Sequence, residues 1–396
     1  MTEPTDRGAV APLMATTSVQ MAASLTTFGV AVIAPVAAPD IGVDATMIGT
    51  FTSVVYGSGM IAGLTAGAFA DRFGAIRVGQ VAMVLACLGV ACLALSSPIA
   101  ALVSAMILGL SYGPVNPLST HILARVVPAK RRPLFFSIKQ SGQPAGTAIA
   151  GLLLPVLVLM YDWRVAMLVT GGIALLVVLG IQPLRPRLDA VRDPSRTIRL
   201  GNVAAPLRLV WREPKLRCLS LSGFIFSGSQ VSLASFFVVY LTEELSLTLT
   251  VAGVIFTVMQ MGGVLGRLFW GAIADRLAPA NAVMVSLGIG TGIFSIIAGY
   301  FAPDWPILVL GILSFALGAT SHGWNGVFFS ELVKFAPEGS VADAASGAQF
   351  ATLAGVAVVP VLFGAVVTLS GNYLLAFMGV AAAMFVASGY QRLLLR

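Results

Sequence analysis

Polar groups able to bind an anion occur at a few places in an otherwise apolar chain. The first is "IKQSGQ", residues 138–143, where Lys139 and Gln143 are four residues apart and share a helical face, with Gln140 beside them. An ammonium next to amide donors is carboxylate-binding chemistry. Arg132 and Pro133 mark the start of this segment, which places Lys139 about 9 Å further along a helix. At that depth the lysine either snorkels to an aqueous boundary or points into a cavity.

The second stretch is "YGPVNPLSTH", with Tyr112, Asn116 and His121. Pro114 and Pro117 remove backbone donors there and can bend the helix, freeing carbonyls. Asn116 is the better ligand candidate, because His121 lies near the segment's end. The third is "SHGWNGVFFSE", where His322, Trp324 and Asn325 offer a polar and aromatic wall and Gly318, Gly323 and Gly326 permit bending or close approach. The competing reading is that His322 and Asn325 only hydrogen-bond across helices. Ser229, Gln230, Ser232, Gln260 and Gln349 complete the set of polar candidates inside apolar runs.

Those runs are what must position the candidates. Hydrophobic residues make up 58% of the 396 and charged residues 10%, against about a quarter charged in soluble domains. The runs approach or exceed the roughly 20 residues that cross a bilayer as a helix, so the chain reads as an all-α, multi-pass membrane protein. Breaks at charges, prolines and polar turns give spans near 15–36, 45–68, 75–96, 99–122, 133–158 and 164–183. A second set follows near 216–240, 249–271, 281–301, 305–330, 341–367 and 371–390. The expected organisation is therefore a six-helix bundle over residues 1–184, a linker over 185–215 and a second six-helix bundle over 216–396.

The segment from 185 to 217 carries nine basic and three acidic residues and reads as cytoplasmic. Within it "APLRLVW" has the alternation of a short interfacial helix. With the N-terminus inside, Arg72, Arg77, Arg125, Lys130, Arg131, Arg132, the linker cluster, Arg276 and Lys334 all fall on the cytoplasmic side, and Arg164 alone falls opposite. Both termini are expected to be cytoplasmic, in an inner membrane. The first apolar run lacks a cleavage-site pattern, so it is expected to remain as a helix.

Other classes fit poorly. The formal charge of +7 is spread over short segments between spans, which argues against a nucleic-acid partner. Cys87, Cys92 and Cys218 show neither metal-ligand nor disulfide spacing. Two histidines and no intramembrane carboxylate pair argue against an enzyme, so no catalytic residue, metal or cofactor is expected. A channel would carry a filter motif or selectivity rings.

One short device occurs twice. "GAFADRFGAIR" begins at Gly67 and "GAIADRLAPAN" at Gly271, so Gly67, Asp71 and Arg72 recur as Gly271, Asp275 and Arg276 at an offset of 204 residues. Each copy follows the second span of its half, the mark of two halves built on one plan. Glycines before each copy, Gly59 and Gly63 or Gly262 and Gly266, have the spacing of close helix contact in lipid.

On these residues the chain resembles the major facilitator superfamily, whose loop signature runs approximately G-x-x-x-D-R-x-G-R-R/K. Gly67, Asp71, Arg72 and Gly74 match, and the sequence then departs at Ala75 and Ile76 before Arg77; the second copy has Ala278 where the later glycine would stand. "YDWR" at 161–164 and "GRLFWGAIADR" at 266–276 are also similar to family sequence. The resemblance implies twelve helices in two bundles and transport by alternating access, with a substrate site between the halves near the bilayer midplane. It also implies a cytoplasmic gate at Asp71 and Arg72, with Asp275 and Arg276 as a weaker partner set. The residues permit that role, since Asp71, following a helix end, could accept hydrogen bonds from a neighbouring helix N-terminus while facing an arginine. Anchoring topology is the alternative. Arg267, near the end of its span, is read as a gate or boundary residue, and Glu331 and Lys334 as a pair at three-residue spacing.

The expected partners are a small anionic substrate, membrane lipid and a coupled proton, for which the chain offers chiefly His322, with His121 and Glu331 behind it. A monomer is expected. The leading expectation is secondary transport of a small organic anion, a carboxylate taken up by the cell. The alternative is an efflux antiporter for amphipathic compounds or drugs. Gly142, Gly146, Gly151 and Pro155 lack the adjacent Gly-Pro and terminal Gly-Gly of the exporters in the resembled family, which lowers that alternative.

Overall fold

A polar backbone in hydrocarbon must satisfy its hydrogen bonds within the segment, and an apolar chain of this length does so by forming helices. The computed structural model describes residues 6–128, 131–190, 192–195, 204–337 and 340–395, and among them there is no strand. Among the described residues, twelve helical spans are long and apolar enough to cross a membrane. Every span expected from the sequence is present.

The chain divides into two compact units, Met1–Val43 with Val54–Gly201, and Asp44–Ser53 with Asn202–Arg396. The first unit is built from α1 (Asp6–Ile41), most of α2 (Ile48–Phe73), α3 (Ala75–Leu93), α4 (Pro98–Tyr112), α5 (Val115–Val126), α6 (Arg132–Met160), α7 (Trp163–Ile181) and the short α8 (Arg185–Leu188). The second holds α9 (Ala204–Arg212), α10 (Pro214–Glu243), α11 (Leu249–Arg276), α12 (Ala280–Gly299), α13 (Ile307–His322), α14 (Trp324–Phe335), α15 (Val341–Ser370) and α16 (Tyr373–Leu394). It also holds the 3-10 turn Ala45–Met47, where Thr46 and Thr368 hydroxyls are 3.0 Å apart.

Several helices run past their predicted ends. The first span covers Gly8–Ile41, with Pro12, Pro35 and Pro39 inside its helix, so Asp40 lies in a last helical turn rather than a loop. Its carboxylate accepts from Trp163 Nε1 at 2.8 Å and Arg164 Nη1 at 3.1 Å, while Asp162 caps α7 through Val165 N–H at 2.7 Å. That gives "YDWR" its local meaning: it ties the start of α7 to the end of α1. The second unit repeats the tie with different chemistry, Tyr373 at the start of α16 donating to Glu243 at the end of α10 at 2.8 Å.

Of the basic segment at 185–215, residues 191 and 196–203 lie outside the described residues. The short helix expected at "APLRLVW" is α9, with Val210 buried against Gly347 of α15 and Trp211 exposed.

Spans four and ten are each two helices. The fourth stops at Tyr112 and restarts at Val115, and the tenth stops at His322 and restarts at Trp324. Pro114 explains the first interruption, since it lacks a donor for the preceding turn. Both broken spans also press on span two of their own half. A Cβ on Gly113 would lie 2.0 Å from the Gly59 carbonyl oxygen, and one on Gly318 would lie 1.8 Å from that of Met259. The glycine spacing thus marks the helix pairs that hold the breaks.

Candidate functional site

In the first unit Lys139 is 2% exposed. Its Nζ donates to Asn116 Oδ1, on the first turn of α5 after the break, and to Gln140 Oε1 at 3.3 Å. The ammonium is therefore turned inward, which resolves the sequence alternatives against snorkelling. Both amide oxygens are acceptors and ease the burial of the ammonium. Gln143, one turn on, is half-buried, and Tyr112 meets Tyr56 edge to face with centroids 5.4 Å apart.

Sequence reasoning passed over Gln20. It is 1% exposed on α1, and a Cβ on Gly142 of α6 would lie 3.3 Å from its side chain. The signal was available, because Thr16, Thr17, Gln20 and Ser24 form a polar stripe at helical spacing inside the first apolar run.

In the second unit His322 is 2% exposed, with Nδ1 3.2 Å from the Gly318 carbonyl and 3.0 Å from Ser321 Oγ. Arg267 does more than mark a span end: its Nε donates to the His322 carbonyl at 3.3 Å, at the end of α13. A carbonyl at a helix C-terminus has no partner within the helix, and the guanidinium supplies one. Trp324 is also not an open wall. It is 3% exposed, packs on Phe226 and Phe328, and donates from Nε1 to Gln230 Oε1 at 2.9 Å. Gln260 is 1% exposed, Asn325 is half-buried beside the break, and Gln349 is exposed on α15. Among the described residues no cluster of His, Cys, Asp and Glu could hold a metal.

The loop motif departs from expectation in one respect. Asp71 lies inside the last turn of α2, where its Oδ1 is 3.9 Å from His121 Nδ1, and it does not cap the neighbouring helix. Asp189 does, accepting from Ile76 N–H at 2.9 Å and Arg77 N–H at 3.1 Å at the start of α3. Gly74 makes room for it: its φ is +100°, and a Cβ there would lie 2.2 Å from Asp189 Cγ. Arg72 lies over the Phe73 ring at 5.4 Å, and Arg77 is exposed. Gly67 and Gly271 have open space where a Cβ would go. In the second copy Arg276 is exposed, α12 starts after Pro279 without a side-chain cap, and the Asp275 side chain lies outside the described residues. Glu331 is buried with Lys334 Nζ 3.8 Å from its Oε1, as the spacing predicts.

Twelve spans in two repeats, each with an interrupted fourth helix, have the architecture of a membrane transporter. The family model of the Major Facilitator Superfamily matches residues 16–360, and the chain belongs to that family. It is 26% identical to a gallate transporter of Pseudomonas putida, over 91% of this chain and 87% of that protein. It is also 26% identical to the 4-hydroxybenzoate transporter PcaK of Acinetobacter baylyi, over 71% of this chain and 68% of the relative. Among solved structures, the nucleoside transporter NupG is similar at a TM-score of 0.76 and 15% identity, covering 98% of this chain and 99% of that one. A bacterial homologue of the human lysosomal transporter Spinster gives 0.73 at 15% identity, covering 98% and 97%. At such identities the structures speak for the fold alone.

Proposed function

We propose that the protein is a secondary active transporter that takes up an aromatic carboxylate across the cytoplasmic membrane by alternating access. The observation that carries this is Lys139: a buried basic side chain whose Nζ donates to two amide oxygens, the donor chemistry of a carboxylate site. The names of the two relatives support the class, since gallate and 4-hydroxybenzoate are both carboxylates on a hydroxylated ring. Lys139 takes the carboxylate, with Asn116, Gln140 and Gln143 as its amide surround. The excess of Lys and Arg in loops of one side supports cytoplasmic termini.

The driving ion is assigned as a proton, with the buried Glu331 as the side chain able to carry it. The gate is assigned to Asp71 and Arg72, where the Asp71 contact with His121 ties the end of α2 to α5 and the Asp189 cap ties the start of α3 to the end of α8.

The direct test is uptake of radiolabelled 4-hydroxybenzoate and gallate by purified protein in proteoliposomes, with and without a pH gradient and an uncoupler. Lys139→Ala should abolish saturable uptake while folded protein is retained, and unchanged affinity in that variant would refute the charge-site assignment. Asp71→Asn should shift the balance between inward-open and outward-open forms; identical cysteine-accessibility labelling of variant and parent would remove the gate.

A further inference from the structure

Span two meets span four near the break in each repeat, and the residues in equivalent places differ. In the first repeat Tyr56 rests against Tyr112, the last residue of α4. The offset of 204 residues that relates the loop motifs pairs Tyr56 with Gln260, and His322 ends α13 as Tyr112 ends α4. An aromatic pair has become an amide and an imidazole.

Gln260 is 1% exposed, and its Nε2 has no hydrogen-bond partner. A buried donor left in that state is costly and calls for an explanation, such as a ligand that completes it. Gln260, Gly263 and Arg267 lie on one stripe of α11, at spacings of three and four residues. Two of the three touch His322: a Cβ on Gly263 would lie 2.9 Å from His322 Cγ, and Arg267 Nε donates to the His322 carbonyl. The imidazole leans back along its helix to bring Nδ1 to the Gly318 carbonyl, and Gly318 packs against the carbonyl of Met259, the neighbour of Gln260. Ring and orphan amide therefore stand in one layer of the second unit. A carbonyl only accepts, so Nδ1 carries the proton and Nε2 is left as an acceptor.

We infer that Gln260 and His322 form a subsite for a ring hydroxyl, which accepts from Gln260 Nε2 and donates to His322 Nε2. This rests on the proposed transport of an aromatic carboxylate and sharpens it to acids that carry a ring hydroxyl, in preference to the same acids without one. A hydroxyl is donor and acceptor at once and satisfies both groups. A carboxylate only accepts and would set its oxygens against the imidazole lone pair, so this is not a second charge site. Arg267 acts here as a positioning residue, holding the His322 backbone.

The test is uptake by the full chain in proteoliposomes of benzoate, 4-methylbenzoate, 4-hydroxybenzoate and gallate, read as ratios of kcat/KM. The parent should favour 4-hydroxybenzoate over the similarly sized 4-methylbenzoate by about tenfold or more, as a site built around a hydroxyl does. Gln260→Met, close in volume but without the N–H, should bring that ratio to within about twofold. A parent without the preference, or a variant that keeps it, overturns the subsite. If Gln260→Met does not fold, 4-methoxybenzoate on the parent decides: it accepts but does not donate, and should fall behind 4-hydroxybenzoate by about fivefold or more. Parity there also overturns the subsite. Transport of all the acids without discrimination removes this inference alone, whereas transport of none removes the underlying function as well.

Discussion

The two broken spans hold their interruptions in different ways. In the first repeat the break at Gly113 is met by backbone, with Gly59 and Gly63 of α2 both packed on it. In the second, Arg267 occupies the position equivalent to Gly63, and its guanidinium donates to the carbonyl of His322. Each repeat thus has a cation near its break, buried Lys139 in the first and half-buried Arg267 in the second, but employs it differently. In the proposed function Lys139, on the fifth span, serves the substrate, while Arg267, on the eighth, donates to a helix-end carbonyl. A duplicated frame has kept its interruption and divided the chemistry between its copies.

The largest expected effects separate those two cations. Lys139→Met should weaken apparent affinity for an aromatic carboxylate by about 10- to 100-fold, the worth of a hydrogen bond to a charged group. Its melting temperature should hold or rise, because a buried charge has been exchanged for an apolar chain. Arg267→Met should do the reverse, costing stability by about 1.5–3 kcal/mol and slowing transport, with carboxylate affinity within a few-fold of the parent. Uptake kinetics and thermal unfolding of both variants check this. If both shift the same parameter, the division of labour between the breaks is wrong.

The two loop copies differ as sharply, and there the expected effects fall on stability and not on transport. Gly74 has φ +100° and opens the way to Asp189, whereas Ala278 precedes an N-terminus with no side-chain cap. Gly74→Ala should cost about 2–4 kcal/mol, combining left-handed backbone strain with displacement of the cap. Asp189→Asn should cost about 1 kcal/mol, and Ala278→Gly less than that. Denaturation in detergent measures all three. Equal losses from Gly74→Ala and Ala278→Gly would mean that the first loop is not specially braced.

What was legible in the sequence follows from which forces are local. Apolar runs fix the spans through hydrocarbon solvation and Pro114 fixes the first break through a missing donor, and both act within a few residues. The inward turn of Lys139 was not legible, because it depends on Asn116, 23 residues away on another helix. The role of Arg267 was hidden for the same reason: spacing placed it near a span end, and only the packing of α11 on α13 brings it to the His322 carbonyl. Asp189 went unread because it sat in a basic run that looked like solvated linker, while the backbone donors it caps lie 112 and 113 residues earlier. The burial of Trp324 was not legible either, because it depends on Gln230, 94 residues away on α10.

The smallest effect lies where the repeats begin their second spans. Asp44 caps the 3-10 turn before α2, accepting from the Thr46 hydroxyl at 2.6 Å and the Thr46 N–H at 2.8 Å; its equivalent at the same offset, Thr248, caps α11 through Val251 N–H at 3.4 Å. The hydroxyl bond first, then the backbone bond, hold the Asp44 carboxyl below the usual carboxylate range. A carboxyl lowered in the folded state contributes stability above its unfolded pKa and loses it as pH falls through the folded value. Asp44→Ala should therefore lower the melting temperature slightly near neutral pH, and the gap to the parent should close as the pH drops below the carboxylate range. Thr248→Ala removes a neutral cap, so its deficit, less than about 1 kcal/mol, should stay constant over the same pH series. Parallel pH profiles for the two variants would show that charge plays no part in the Asp44 cap, and that the repeats differ there only in residue type.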